Sequence, residues 1–315
     1  MTDGLSASTV GGMEWAAGID VGGTTIKGLR LRADGLRVPY PRTVPTPHDV
    51  DSLVDAVAAL ARDMGERRLG VCVAGIVDEA AGVAVSGTNL PWANSPLRDR
   101  LSSVLGHPVV LSHDVRSGAR AEARWGCRAG RFLYATLGTG LAAIPVVDGV
   151  PAPGPWGGEL GQPLVPDPAE PRTLVSVERL CSAEAVARRY AERVPGFDPA
   201  WGAGAVFDRL AAGDSVAARV IDEAISGLAQ ALAFAVAMTA PDVVVLAGGM
   251  AQARAQLVEP LAGRLGALLG VLPRPEVVIS SLGTYAQALG AAGLALDAPD
   301  APPVRAAAPP RPPDA

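Results

Sequence analysis

The feature that most constrains this chain is a pattern it carries twice. Residues 18–35 read GIDVGGTTIKGLRLRADG, and residues 136–149 read TLGTGLAAIPVVDG. Each passes from an apolar run through a Gly/Thr turn into a second apolar run, then into Asp-Gly. Asp-Gly between apolar runs is a hairpin signal, because both residues tolerate the positive φ of a two-residue turn. The long spacing marks one duplication of a domain frame, not a short solenoid repeat. With 315 residues, 49% of them apolar, the chain can bury two cores. Only 4% are aromatic, so those cores must be built from Ala, Val and Leu.

The rest of the chain fits that frame. Strands are expected at 15–20 and 26–31, followed by a hairpin turn at Asp34-Gly35 into 37–43. Helical periodicity spans 50–62, where Leu53, Val54, Val57, Leu60 and Ala61 share a face. A buried strand at 69–74, a helix at 96–105, a strand at 108–112 and a helix from about 117 to 125 follow. The second half gives strands at 131–137 and 141–147, helices at 182–192 and 215–239, a strand at 242–247, and two closing helices. The order β, β, β, α, β, α, β recurs, which predicts two similar α/β domains facing a cleft. The expected boundaries are 14–113, completed by a C-terminal helix at 285–297, and 114–284. Loose tails are expected at 1–13 and in the Pro/Ala-rich segment 298–315.

A net charge of −5 leaves no basic footprint for nucleic acid or an anionic membrane. Cys72, Cys127 and Cys181 are scattered without C-x-x-C spacing, so neither a disulfide framework nor a zinc knuckle is signalled. Each reads as a small core residue. The N-terminus lacks a basic stretch followed by an apolar one, and the apolar stretch 229–240 is too short to span a bilayer. A cytoplasmic protein is expected.

The turns carry the chemistry. A strand that ends in Gly-Gly-Thr and doubles back presents backbone N–H groups and a hydroxyl together, a concavity suited to phosphate oxygens. Gly22, Gly23, Thr24 and Thr25, with Lys27 beyond them, form the first such turn; Gly138, Thr139 and Gly140 form the second. Asp20, at the strand end, is placed to hold Mg²⁺ or its waters against the phosphates. One such turn is often only structural, but two in matching positions would clamp a polyphosphate from both sides. A Walker loop does not fit, since Lys27 precedes a glycine instead of following one. Gly138-x-Gly140-x-x-Ala143 mimics a dinucleotide fingerprint, with Glu159 about twenty residues on. That fingerprint requires a helix after the turn, and Ile144-Pro145-Val146-Val147 reads as strand.

On these blocks the chain resembles the ROK family, especially its glucokinase-like members. The resemblance runs from about 14 to 297 and rests on GIDVGGTTIKG, AGIVD, TNLPWANSPL, HDVRSGARAE, LGTG, GGELG, VERL and VVVLAGGM in that order. It implies an actin-like, duplicated ribonuclease H-like α/β fold in two domains, with ATP and Mg²⁺ as cofactors. The activity implied is transfer of a phosphoryl group to a sugar hydroxyl, in a family whose members often form dimers. By the same resemblance, Asp114 matches the catalytic aspartate that removes the hydroxyl proton. Asn89, Glu159 and Glu178 match sugar-binding positions, where amides and carboxylates serve adjacent ring hydroxyls. Gly248 and Gly249 match a turn that lets the nucleoside approach the backbone. Plainer readings stand beside these: Asp114 as a helix N-cap, Asn89 as a loop stabiliser, Glu178 as a solvated helix residue.

The chain also departs from the family pattern. The resemblance implies a zinc site of one His and three Cys, but those positions hold Gln162, Ala169, Pro171 and Ser176. Zinc needs nitrogen or thiolate donors, so no structural zinc is expected. Gln162 retains hydrogen-bonding capacity toward the sugar, and the Pro-rich loop 165–173 is stiffened by its composition. His113 stands where relatives carry Asn, beside the base; it either bonds the sugar or is a satisfied histidine at a strand end. Leu141-Ala142-Ala143 replaces a more glycine-rich turn. Retained kinase chemistry with altered sugar choice is expected, with glucose-like hexoses the default acceptor. Aminohexoses such as kanosamine and C7 cyclitols are the alternatives. A non-catalytic sugar-binding regulator and a polyphosphate-dependent kinase are competing readings. The short segment before the first strand leaves no room for the helix-turn-helix of family repressors.

Overall fold

The computed structural model describes residues 14–87, 90 and 92–299. Asn89, the segment 1–13 and the segment from 300 onward lie outside the described residues. The chain divides into two compact units. One comprises the described residues up to His113 together with those from Ala291 onward; the other is Asp114–Gly290.

The first unit opens with β1 (Trp15–Val21), β2 (Thr25–Arg32), β3 (Arg37–Pro39) and β4 (Val44–Pro45). Of the strand expected at 37–43 only 37–39 forms, and a second short strand follows beyond it at 44–45. Pro39 and Pro41 lack the N–H that a continuous ladder needs. Next comes α1 (Val50–Met64), capped by the Asp49 carboxylate, which accepts from the Ser52 amide, and closed by Gly65 at φ 75°. Then follow β5 (Leu69–Val73), a small antiparallel sheet of β6 (Ile76–Asp78), β7 (Val83–Ser86) and β8 (Ala93–Ser95), then α2 (Leu97–Leu105) and β9 (Val109–His113). The main sheet runs β3-β2-β1-β5-β9, with β1, β5 and β9 parallel. Side chains alternate across it. Ala17, Ile19 and Val21 pack on Leu53, Val57 and Leu60 of α1 and Leu97 and Leu101 of α2.

The second unit begins with α3 (Asp114–Trp125), three residues earlier than expected, then β10 (Arg131–Leu137), β11 (Leu141–Val147) and β12 (Val150–Pro151). A hairpin of β13 (Leu164–Pro166) and β14 (Leu174–Ser176) leads into α4 (Val177–Cys181), α5 (Ala183–Ala191), α6 (Gly202–Ala211) and α7 (Ser215–Thr239). The unit continues through β15 (Val243–Ala247), α8 (Glu259–Leu268) and β16 (Glu276–Ile279). The last helix, α9 (Ala286–Asp297), crosses from this unit into the first. The sheet order β12-β11-β10-β15-β16 matches that of the first unit place for place. On β10, Phe132 and Tyr134 join Val115 and Ala119 of α3 on one face. Leu133, Ala135 and Leu137 join the core built by α4 to α8 on the other.

α7 corrects the reading of its apolar stretch. The helix runs 25 residues and is long and apolar enough to cross a membrane, but 61% of its most apolar window is buried inside the unit. It is the core helix against which α4, α5, α6 and α8 pack.

Both units meet α9 at glycines. A Cβ on Gly70 would lie 1.9 Å from the Ala291 carbonyl oxygen, and one on Gly290 1.8 Å from that of Ser117. Backbone stands on the other side in each case, so neither site can relax by rotating a side chain. Gly70→Ala is therefore expected to cost roughly 1–3 kcal/mol or more, read as a lower urea midpoint. Gly263, exposed within α8 with nothing within 4 Å of an added Cβ, is the contrast. Gly263→Ala should raise stability by about 0.5–1 kcal/mol.

Candidate functional site

In the first unit, the parallel register sets Asp20 level with Cys72, and Cys72 level with Ser112. The strand ends therefore deliver the first glycine turn and His113 to one end of the sheet, two strand spacings apart, roughly 10 Å. Gly22 closes the turn by donating to the Thr25 carbonyl at 3.0 Å. The Gly22 carbonyl accepts from Thr46 Oγ1 at 2.7 Å, and the Thr24 carbonyl from the Thr46 amide at 3.0 Å. Two acceptors that would repel an anion are thereby engaged inside the fold, while Gly23, Thr24 and Thr25 are exposed. Such a turn can offer an anion its amides and hydroxyls.

Asp20 is buried, and its carboxylate lies between Lys27 Nζ, at 3.3 Å from Oδ2, and Cys72 Sγ, 3.7 Å from Oδ1. Lys27 sits opposite Asp20 in the β1–β2 ladder, so its charge is shared with Asp20 before any phosphate. Among the described residues no group of three or more His, Cys, Asp or Glu side chains is placed to hold a metal. Mg²⁺ bound with a nucleotide takes most ligands from phosphate and water, so one carboxylate, Asp20, fits that use. Zinc does not fit. Gln162 is exposed, Ala169 and Pro171 carry no donor side chain, and the Ser176 hydroxyl is the cap of α4, accepting from the Arg179 amide at 3.2 Å. Cys72 and Cys181 are buried; burial pushes the Cys181 thiol well above its usual range, and it donates to the Val177 carbonyl.

His113 is buried at the end of β9. Its amide donates to Glu79 Oε1 at 2.9 Å, and the same oxygen accepts from Ser112 Oγ at 2.6 Å. Glu79 directly follows the AGIVD block, yet nothing in sequence links it to a strand end more than thirty positions away.

In the second unit, Asp114 is the first residue of α3 and half-buried. Its Oδ1 accepts from the next amide, Val115, at 2.7 Å. That contact lies at the start of the helix, where the plainer reading of Asp114 as a capping residue also places it. The next two residues hold the loop at 154–158. Val115 lies under Gly158, where an added Cβ would approach its Cγ1 to 3.0 Å. The buried Arg116 guanidinium donates to the Gly154 carbonyl at 2.8 Å and to that of Gly157 at 3.3 Å. Glu159 follows at once, half-buried.

Glu178 then closes the circuit. Its amide donates to the Gly161 carbonyl at 2.8 Å, and its Oε2 accepts from the Leu141 amide at 2.8 Å. A Cβ on Gly161 would lie 2.4 Å from the Leu141 carbonyl oxygen, so the loop and the second glycine turn pack backbone to backbone. Glu178 is therefore a structural tie as well as a carboxylate, not a solvated helix residue. Gly248 stands at the end of β15, next to β10; at φ 92°, with a Cβ only 2.4 Å from the Leu137 carbonyl oxygen, only glycine fits. The second turn and the Gly248–Gly249 turn thus leave adjacent parallel strands at the same end. Sequence reasoning did not single out Thr46, Glu79 or Arg116, whose side chains fix this arrangement.

Residues 16–298 match the ROK family. Among curated proteins, the bifunctional enzyme NanE/NanK of Brucella melitensis is 33% identical over 88% of this chain, which spans about half (53%) of that relative's length. The glucokinase of Thermotoga maritima is 27% identical over 88% of this chain and 96% of its own. A ROK hexokinase structure from Thermus thermophilus superposes with a TM-score of 0.71 at 30% identity, covering 88% of this chain and 96% of that one. A ROK glucokinase from Streptomyces griseus, solved with glucose and AMPPNP, gives 0.78 at 24% identity over 90% and 100%. The fold is the actin-like α/β arrangement of these neighbours, and the chain belongs to the ROK family.

Proposed function

We propose that this chain is an ATP-dependent kinase that moves the γ-phosphoryl group to the primary C6 hydroxyl of a glucose-like hexose, with Asp114 as general base. One observation carries the reading. The helix turn that begins with Asp114 grips the loop bearing Glu159 and Gln162, and Glu178 ties that loop to a glycine turn suited to phosphate. Base, acceptor loop and phosphate turn belong to one bonded assembly. Similarity to proteins named glucokinase and N-acetylmannosamine kinase supports the same chemistry.

In this mechanism the sugar oxygen gives its proton to Asp114 and forms a bond to the γ-phosphorus as the bond to the ADP oxygen breaks. Positioning and charge neutralisation supply most of the acceleration in such transfers. The turn at 22–25 and the turn at 138–140 would receive the phosphates, and Gly248 and Gly249 the nucleoside. Mg²⁺, when bound, neutralises phosphate charge, and Asp20 would hold it or its waters. Asn89, His113, Glu159, Gln162 and Glu178 would recognise the sugar. We place this activity in the cytoplasm, where ATP is made, and take a homodimer as the assembly to test.

An aminohexose such as kanosamine, a C7 cyclitol or N-acetylmannosamine is the second reading of the acceptor. Gln162 favours it: this exposed amide stands where the resemblance implies a metal-bound His, so the sugar edge it meets is read differently. ADP release measured across glucose, mannose, N-acetylmannosamine, kanosamine and cyclitols, with ATP or polyphosphate as donor, decides among these. Sugar binding with no turnover from either donor would make the chain a regulator and end the kinase reading.

Asp114→Asn should lower kcat by roughly 10²–10⁴-fold while sugar binding, measured by calorimetry, stays within about threefold. Glu79 acts through the backbone ahead of Asp114 and is a positioning residue. Glu79→Ala removes the acceptor of the His113 amide and the nearer acceptor of the Ser112 hydroxyl, at about 1–3 kcal/mol of stability, and should lower kcat more than it raises the sugar KM. Glu79→Gln, which keeps an acceptor oxygen, should recover most of both losses.

A further inference from the structure

The hairpin that carries the chain from Gln162 to Glu178 is anchored by charge in a place where charge is rarely buried. Asp167, Arg189 and Glu223 are 8%, 5% and 9% exposed. Asp167 closes the hairpin tip: its amide donates to the Thr173 carbonyl at 2.9 Å, and its Oδ1 accepts from the Ala169 amide at 2.9 Å. Arg189 of α5 grips the same carboxylate as a fork, Nη1 to Oδ2 and Nη2 to Oδ1, each at 2.8 Å. Nη2 also donates to Glu223 Oε2 of α7 at 3.0 Å. Arg193 completes a neutral foursome by donating to both Glu223 oxygens, at 3.2 and 2.8 Å. The Arg189 hydrogen bonds hold the Asp167 carboxyl at about 2, against a usual 3.8, although burial opposes them.

The other end of the hairpin is tied by the backbone and by Glu178. The Val177 amide donates to the Pro163 carbonyl at 3.0 Å, that of Glu178 to Gly161, and Glu178 Oε2 accepts from the Leu141 amide. The stretch from 162 to 178 is therefore held at its base by these bonds, along its length by the β13–β14 pairing, and at its tip by the ion pairs. The positions implied for zinc ligands offer nothing to a metal. The Ala169 amide is spent on Asp167, and Ser176 is spent on capping α4.

We propose that the Asp167–Arg189–Glu223 chain is a metal-free clamp that positions Gln162 and Glu178 for the acceptor sugar, in the place of the zinc site implied by the family resemblance. Its acceptor part rests on the kinase reading above; its structural part does not. Asp167 and Arg189 are positioning residues, since neither is placed to touch substrate. Asp167→Asn removes the charge, and Arg189→Lys keeps the charge but loses the planar fork.

The experiment compares wild type, Asp167→Asn and Arg189→Lys in steady-state kinetics and in trypsin cleavage after Arg172, an exposed residue of the hairpin tip. Both variants should raise the acceptor KM about tenfold or more, while kcat and the ATP KM stay within about threefold. Cleavage after Arg172 should accelerate at least about tenfold as the tip opens locally, with the far-ultraviolet circular dichroism unchanged. Treating wild type with 1,10-phenanthroline should alter neither Arg172 cleavage nor sugar binding by calorimetry. Wild-type acceptor KM and wild-type cleavage in both variants would overturn the clamp. So would stoichiometric zinc whose removal exposes Arg172. If no sugar is phosphorylated by wild type, the kinase reading falls, while the Arg172 cleavage rates still decide the clamp. If Asp167→Asn does not fold, the milder Arg189→Lys carries the comparison.

Discussion

The parallel register of β1, β5 and β9 is the constraint from which the first half of the site follows. Because side chains alternate along a strand, a slip of one residue would turn Asp20 into the α1 core and bring Val21 to the opposite face. The register is held from both sides. Ile19 and Val21 on one face are locked among α1 and α2, and on the other Gly70 admits the backbone of α9 so closely that no neighbour of β5 could take its place. The carboxylate of Asp20 thus owes its position to apolar packing and to a missing Cβ, not to its own hydrogen bonds. A buried Asp beside Lys27 and Cys72 is tolerable only because the charge is paired.

The second unit uses the same sheet order but a different device to hold its turn. In the first, the carbonyls of the glycine turn are taken by Thr46; in the second, the turn's end is taken by Glu178 from outside the sheet. The difference follows from what is inserted. Between β12 and β15 the second unit carries the 152–163 loop, the β13–β14 hairpin and four helices, whereas the first has only β4 and α1 in the corresponding stretch between β3 and β5. So large an insertion needs a tie to the sheet, and Glu178 supplies one to the start of β11.

Much of this was legible in the sequence, for reasons that can be named. β1, β2, β10 and β11 are apolar runs bounded by Gly turns or Asp-Gly, and α7 is a long apolar helix behind an Asp cap, so all five were readable nearly to the residue. The start of α3 was not. Asp114 and Val115 are poor helix formers, and the helix begins there because Arg116 and Val115 are held by the 154–158 loop, a tertiary effect. β16 was missed because EVVI is four residues long, follows a Pro-rich stretch and is paired only to β15. β13 and β14 were hidden for the same reason, as short strands in proline-rich sequence. Among the site residues, glycines and Asp114 announce themselves through motif context. Glu79 and Arg116 act on partners 34 and 38 positions away, and no local pattern encodes a partner.

The ion-pair cluster at the tip of the β13–β14 hairpin shows how a loop can be held firmly by side chains alone. A bound zinc supplies its own free energy, because four ligands converge on one centre only in the folded chain. A buried ion pair supplies little net stability, since desolvation consumes most of the attraction, yet breaking one costs roughly 3–5 kcal/mol once the surrounding fold has committed to it. What such a pair provides is geometry. The planar fork of Arg189 accepts the Asp167 carboxylate in one orientation, and Glu223 and Arg193 fix the fork in turn. A loop held this way has an orientation as definite as a metal site would give it, but its tolerance is different: it depends on the packing of α5 against α7 instead of on metal supply. Under the clamp proposed above, substitutions in that helix pair would act on acceptor choice from a distance.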